Sequence, residues 1–249
     1  MTIVGVDCAT VNQRTGLTFA SCTRNGTITI DECFVAQPRS SIASQIRARL
    51  SNTPSALIAL DAPLGWPTAL GIHLSKHHAG KAFAVDSETL FRRRTDQIIK
   101  KRLHKAPLEV AANFLARTAV VALRTLKEIS ELCNTEVSIA WQPPEQGGIY
   151  AIEVYPAGTL RAYQQMGFVS KKEDTGQSKK ALLKKLQHDG RLRFAGGRTM
   201  TISNEHVTDS VLCCVAALDF LQGYVIAPTA DDKEFAKKEG WIWVRNPDV

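Results

Sequence analysis

The sequence lacks a long apolar run, an internal repeat and a low-complexity segment. Its longest strictly apolar stretch covers only residues 211–218, far short of the roughly 20 residues that a membrane-spanning helix needs. No basic-then-apolar leader follows Met1, and the six cysteines include no CxxC pair, which argues against export, a zinc knuckle and a disulfide framework. These absences predict a cytoplasmic protein with no membrane segment.

The composition is that of a globular protein, since 44% of the 249 residues are hydrophobic and 22% are charged. At roughly 100–200 residues per domain, we expect a single domain over residues 1–249, with insertions at about 64–105 and 157–200. Lys and Arg number 31 and Asp and Glu 24, so the net charge is +7. This modest excess indicates a polyanionic partner only if the basic residues are clustered.

Five segments have the composition of β-strands, and the turn signal Asn25-Gly26 joins the second to the third as a hairpin. The first three are therefore antiparallel neighbours, while helix-containing connections make the fourth and fifth parallel to the first. This predicts an α/β fold with strand order 3-2-1-4-5. The segments are 2–7, 16–22, 26–35, 56–60 and 149–155. After Pro107 the sequence also predicts a long helix whose apolar stripe comprises Val110, Phe114, Val121, Leu126 and Ile129.

Four acidic residues fall at matching places in this topology. Asp7 and Asp61 end two adjacent parallel strands, and Glu153 lies near the end of the next. Asp209 joins them if the final helix, capped by Asn204, packs across that edge. Carboxylates on strands about 4.8 Å apart repel one another, and hard oxygen ligands favour Mg²⁺ or Mn²⁺. Taken singly, three of the four acids also fit a structural role, Asp7 or Asp61 as a loop cap and Glu153 in a buried salt bridge.

Five motifs carry a resemblance to a known family: GVDCAT, ALDAPLGWP, FRRRTDQ, AIEVYPAG and HVTDSVLCCVAAL, followed by a late GWIWV. In this order they resemble the family called domain of unknown function 429, whose members look like predicted nucleases of the ribonuclease H-like fold. The resemblance spans nearly the whole chain. It implies that the four acids form an acidic centre and that Arg94 and Asp96 lie next to it.

Basic residues are concentrated in the first insertion, directly after the strand that ends in Asp61. Such side chains can hold phosphates beside a metal centre, so we expect them, with Asp96, to contact substrate. They are Arg92, Arg93, Arg94, Lys100 and Lys101. For a second cluster, on a later lysine-rich helix, a solvated face is the simpler interpretation. It comprises Lys179, Lys180, Lys184 and Lys185.

The favoured function is divalent-metal-dependent hydrolysis of phosphodiester bonds in DNA or RNA, since such ions activate water and stabilise a leaving oxygen. One alternative is ATP-dependent phosphoryl transfer of the sugar-kinase or actin type, which shares the strand order. Those proteins need glycine-rich phosphate loops, and residues 7–10 contain no glycine. A second alternative is a non-catalytic nucleic-acid-binding protein that retains the fold. The oligomeric state is left open.

Overall fold

The computed structural model describes residues 1–23, 26–50, 53–170, 175–197 and 204–249. Asn25, at the predicted hairpin turn, lies outside these ranges. The strands are β1 (Thr2–Asp7), β2 (Gly16–Cys22), β3 (Ile28–Val35), β4 (Ser55–Asp61), β5 (Val137–Ile139), β6 (Gly148–Val154), β7 (Leu192–Phe194) and β8 (Ile242–Trp243). The helices are α1 (Ile42–Leu50), α2 (Thr68–Leu74), α3 (Ser87–Phe91), α4 (Arg94–Leu103), α5 (Asn113–Cys133), α6 (Pro156–Gln165), α7 (Thr175–His188), α8 (Glu205–Leu221) and α9 (Lys233–Glu239).

The strands form one mixed sheet with the order β5-β6-β4-β1-β2-β3-β7, and β8 pairs with β6. β1, β2 and β3 are antiparallel neighbours, whereas β4 is parallel to β1 and β6 is parallel to β4. The predicted order 3-2-1-4-5 is confirmed, with β6 as its fifth strand. The strands β5 and β7 escaped prediction because each has only three residues, too few to show a period.

Helices cover both faces of the sheet. On one face α8 packs across β1, β2 and β3, and on the other α1 packs against α5. The alternating side chains of β1 divide accordingly, with Ile3 in the core under α8 and Val4 and Val6 in the core under α1 and α5. Of the predicted stripe on α5, Leu126 and Ile129 are buried there, but Phe114 is 68% exposed, so that part of the prediction is wrong.

Two glycines let α8 lie directly on the sheet. A Cβ atom at Gly5 would lie 2.0 Å from the carbonyl oxygen of Ser210, and one at Gly16 would lie 2.0 Å from that of His206. The helix begins as predicted, because the Asn204 side-chain oxygen accepts hydrogen bonds from the backbone N–H groups of His206 and Val207. The first turns of α8 are therefore held over the ends of β1 and β4. Among the described residues, no helix combines the length and apolar character needed to cross a membrane.

Candidate functional site

Three of the four predicted acids come together at the carboxyl ends of β1 and β4. Asp7 and Asp61 are directly paired in the parallel register of these strands. Asp209 lies in α8, one residue before Ser210, whose backbone rests on Gly5. The negative charge of Asp209 acts on both strand acids, which confirms that the three carboxylates share one environment.

This environment makes the carboxylates difficult to ionise together. The pKa of Asp7 is raised to about 6, chiefly by burial, with the charge of Asp209 adding to the shift and His206 opposing it. Burial, followed by the charges of Asp7 and Asp209, holds the pKa of Asp61 well above its usual range. Burial also raises the pKa of Asp209. The cluster therefore has more negative charge than its surroundings compensate at neutral pH.

Two cationic or ionisable side chains partly offset this charge. His206 Nδ1 lies 2.7 Å from Asp7 Oδ2, and Lys179 Nζ lies 2.6 Å and 2.8 Å from the two oxygens of Asp209. The Lys179 charge also lowers the pKa of Asp7 and of Asp61, so it acts on all three acids.

Sequence reasoning assigned neither His206 nor Lys179 to the site. His206 precedes Asp209 by three residues and so shares its helical face, a signal that the sequence contains. Lys179 comes from α7 in the second insertion, where a solvated lysine face was predicted. That interpretation is wrong for Lys179, whose side chain is only 15% exposed, and no spacing in the sequence indicates its partner.

Glu153, the fourth predicted acid, belongs to a separate network. The guanidinium of Arg93 donates to both of its oxygens, at 2.7 Å and 2.8 Å, and the Leu64 N–H donates to Oε2 at 2.9 Å. Glu153 is 3% exposed. Glu153 was expected to be a metal ligand, but its oxygens are occupied by Arg93. It forms the buried salt bridge that the sequence offered as the alternative role.

The same network corrects the roles expected for Arg93 and Asp96. Asp96 is fully buried and accepts from the Arg93 backbone N–H, Nε and Nη2, while Arg93 also donates to the carbonyl oxygen of Glu239. Arg93 is 1% exposed. Its guanidinium is occupied by these contacts, so Arg93 and Asp96 join the start of α4 to β6 and to the end of α9.

The remaining basic residues of the first insertion differ in their ion pairs and in their exposure to solvent. Arg92 forms ion pairs with Glu88 and Glu109, and Arg94 pairs with Asp232 at 2.6 Å. Glu88 is four residues before Arg92, within reach of sequence reasoning, whereas Glu109 and Asp232 lie in other segments. Three side chains stay exposed: Arg94, Lys100, which pairs with Glu88 at 3.2 Å, and Lys101.

The donor set fits a hard divalent cation. Within the described ranges, no three His, Cys, Asp or Glu side chains are gathered closely enough to form a ready-made metal site. Asp7, Asp61 and Asp209 nevertheless supply partly buried oxygen donors, and a divalent ion would relieve the repulsion between them. Because two of these acids already contact His206 and Lys179, an ion has to compete with those contacts.

Comparison with known proteins places the chain in a family. A family model described as "Protein of unknown function (DUF429)" matches residues 5–234. The chain belongs to this family. The match confirms the resemblance predicted from the motifs. No curated protein matches the sequence of this family member.

Two solved structures are similar to this family member. Thermus thermophilus RuvC in complex with a Holliday junction substrate shares 10% identity, with 90% of this chain and 97% of that chain covered and a TM-score of 0.41. The yeast mitochondrial Holliday junction resolvase Ydc2 shares 11% identity, with 89% and 80% covered and a TM-score of 0.42. Both similarities concern the fold.

Proposed function

We propose that this protein is a Mg²⁺- or Mn²⁺-dependent nuclease that hydrolyses phosphodiester bonds in nucleic acid. The observation that carries the proposal is the convergence of Asp7 and Asp61, paired at the ends of β1 and β4, with Asp209 from the first turns of α8. Burial raises the pKa of all three, and the charge of Asp209 adds to the shifts of Asp7 and Asp61. A purely structural role fits this cluster poorly, because repelling buried carboxylates destabilise a fold. Ligand function is the usual reason for such an arrangement.

Asp7, Asp61 and Asp209 are the residues that would hold the ion. When bound, a divalent cation polarises a phosphoryl oxygen and lowers the pKa of an attacking water. His206 orients the Asp7 carboxylate through the 2.7 Å contact between Nδ1 and Oδ2. The exposed Lys100 and Lys101 are proposed to contact phosphates farther along the chain of the substrate.

The test is incubation of the purified protein with single-stranded, duplex and branched DNA and with RNA, in Mn²⁺, Mg²⁺ or EDTA. We expect cleavage of at least one form with metal and none in EDTA. Cleavage in EDTA would contradict the proposal. Mn²⁺ binding without cleavage of any form would support the non-catalytic alternative, and ATP-dependent phosphoryl transfer would support the kinase-like one.

Lys179 provides a second prediction, because its ammonium group competes with a metal ion for Asp209. A unit positive charge and a divalent ion about 4 Å apart near a protein surface repel by about 8 kcal/mol at an effective dielectric constant of 20. We expect Lys179→Met to tighten Mn²⁺ binding by about tenfold or more, measured by isothermal titration calorimetry.

Lys180→Met is the matched control, since Lys180 is the next residue but is exposed. It should leave Mn²⁺ affinity unchanged. If Lys179→Met weakened Mn²⁺ binding, or shifted it no more than Lys180→Met does, competition at Asp209 would be disproved.

A further inference from the structure

A cleft of about 280 Å³ opens beside the acidic cluster, between the end of β6 and the first turn of α5. Asp61 and Cys8 line it at the strand ends. Its other walls include Leu108, from the connection between α4 and α5, Phe114 from α5 and Tyr155 from the end of β6. The cleft thus extends the proposed metal site with a largely apolar compartment that contains two aromatic rings.

The mouth of the cleft exposes two large apolar side chains. Leu108 is 72% exposed and Phe114 is 68% exposed. The periodicity of α5 predicts that Phe114 lies in the core. The tertiary structure instead exposes it to solvent. The Tyr155 hydroxyl donates to the carbonyl oxygen of Ala106 at 3.4 Å, which ties the segment carrying Leu108 to the sheet. Apolar side chains exposed together at a cleft are typical of a binding surface.

Two exposed basic residues lie close in sequence to the apolar side chains at the mouth. Lys105 is exposed and lies three residues before Leu108, and Arg117 is exposed and lies one helical turn after Phe114. The occupant is therefore a molecule with an apolar, flat part and negative charge on either side. A nucleotide within a strand has this character, because its base presents two π-faces and its neighbours carry phosphates.

We propose that the cleft binds one unstacked nucleobase of the substrate, with Phe114 as the stacking surface and the adjoining phosphate near Asp61. This inference rests on the proposed nuclease function and narrows its substrate class. A base in a duplex has both faces covered by its neighbours, and removing it from the stack costs a few kcal/mol. The preferred substrate is therefore a strand with an unpaired nucleotide.

The test is a double-mutant cycle between Phe114 and the base. Binding of a short oligothymidylate, and of versions with one abasic site moved along the strand, is measured by fluorescence anisotropy in Ca²⁺, with strand integrity checked on a gel. Stacking on an aromatic side chain predicts that Phe114→Ala weakens binding of the intact strand by about 5- to 150-fold. At one abasic position the same substitution should have no effect.

Each outcome decides the matter. Equal losses with intact strand and with every abasic strand, or no loss at all, would overturn base binding in the cleft while leaving the nuclease proposal standing. Failure of the parent protein to bind any oligonucleotide would refute the proposed function and this inference with it. Phe235→Ala is the matched control, because Phe235 is 47% exposed on α9 and does not line the cleft, and should leave all affinities unchanged. Circular dichroism is to be used to check that the Phe114→Ala and Phe235→Ala variants are folded.

Discussion

Replacing Asp7 with asparagine is expected to abolish cleavage and, at pH 7.5, to stabilise the metal-free protein. The cleavage rate should fall by at least ~10²–10³-fold, the usual cost of removing a group that stabilises charge in the transition state. The stability should rise because asparagine keeps the shape of the side chain but removes a charge that is buried beside Asp61 and Asp209. Gel-based cleavage assays and chemical unfolding of the same preparations measure the two effects.

The gain in stability has a defined pH dependence. Asp7 has a pKa of about 6 in the folded protein and an ordinary value of 3.8, so the folded state binds its proton more tightly than the unfolded state does. Stability from this group is present below pH 4 and is lost as the pH rises through about 6. At ~1.4 kcal/mol per pKa unit, the loss is at most about 3 kcal/mol. The advantage of the asparagine variant should therefore be largest above pH 6 and absent near pH 4.

Asp231→Asn is the control for this experiment, because Asp231 is an exposed aspartate outside the cluster. It should leave both the cleavage rate and the stability unchanged. An asparagine variant at position 7 that is less stable than the parent at pH 7.5 would show that the Asp7 carboxylate is structurally required. Retained metal-dependent cleavage would exclude Asp7 from the proposed metal centre.

Arg93→Ala is expected to cost about 3–5 kcal/mol of stability, because it removes one partner of a buried ion-pair network. Glu153 and Asp96 would stay buried after losing the guanidinium that donates to both, and the Glu239 carbonyl would lose its 3.1 Å contact. The loss should diminish at low pH, since protonation neutralises the abandoned carboxylates. Urea unfolding at pH 7.5 and at pH 5 measures it.

The neighbouring substitution Arg94→Ala is the matched control. The Arg94 side chain is 46% exposed, and its buried partner Asp232 keeps two hydrogen bonds from Thr229, so a smaller loss of about 1 kcal/mol is expected. Equal effects of the two substitutions would contradict the structural role assigned to the Arg93 network. They would return Arg93 to the candidates for substrate binding.

The central strand order and the convergence of Asp7, Asp61 and Asp209 were predictable because local patterns and chain topology decide them. Apolar runs mark β4 and β6, and the right-handed crossover rule puts their carboxyl ends at one edge of the sheet. The cap of α8 was predictable for the same reason, since Asn204 acts on N–H groups only two and three residues away.

The pairing of charges was not predictable, because each partner is distant in sequence. Arg93 and Glu153 are 60 residues apart, Lys179 and Asp209 are 30 apart, and Asp7 and His206 are 199 apart.

Arg93 and Arg94 are adjacent and chemically identical, yet Arg93 is buried in a network and Arg94 is half exposed. Their different burial arises because the start of α4 places Arg93 against Glu153 of β6 and Glu239 of α9.

The sequence by itself determined the order of the five central strands and the edge at which an acidic centre forms, because the period of apolar residues and the crossover rule act locally along the chain. Only the tertiary structure decided which acids are left for a metal ion. In the folded protein Glu153 forms a salt bridge with Arg93, Lys179 forms one with Asp209, and Phe114 is exposed at the neighbouring cleft. The physical reason is that electrostatic energy depends on distances and burial between remote segments, which no spacing in a single sequence encodes.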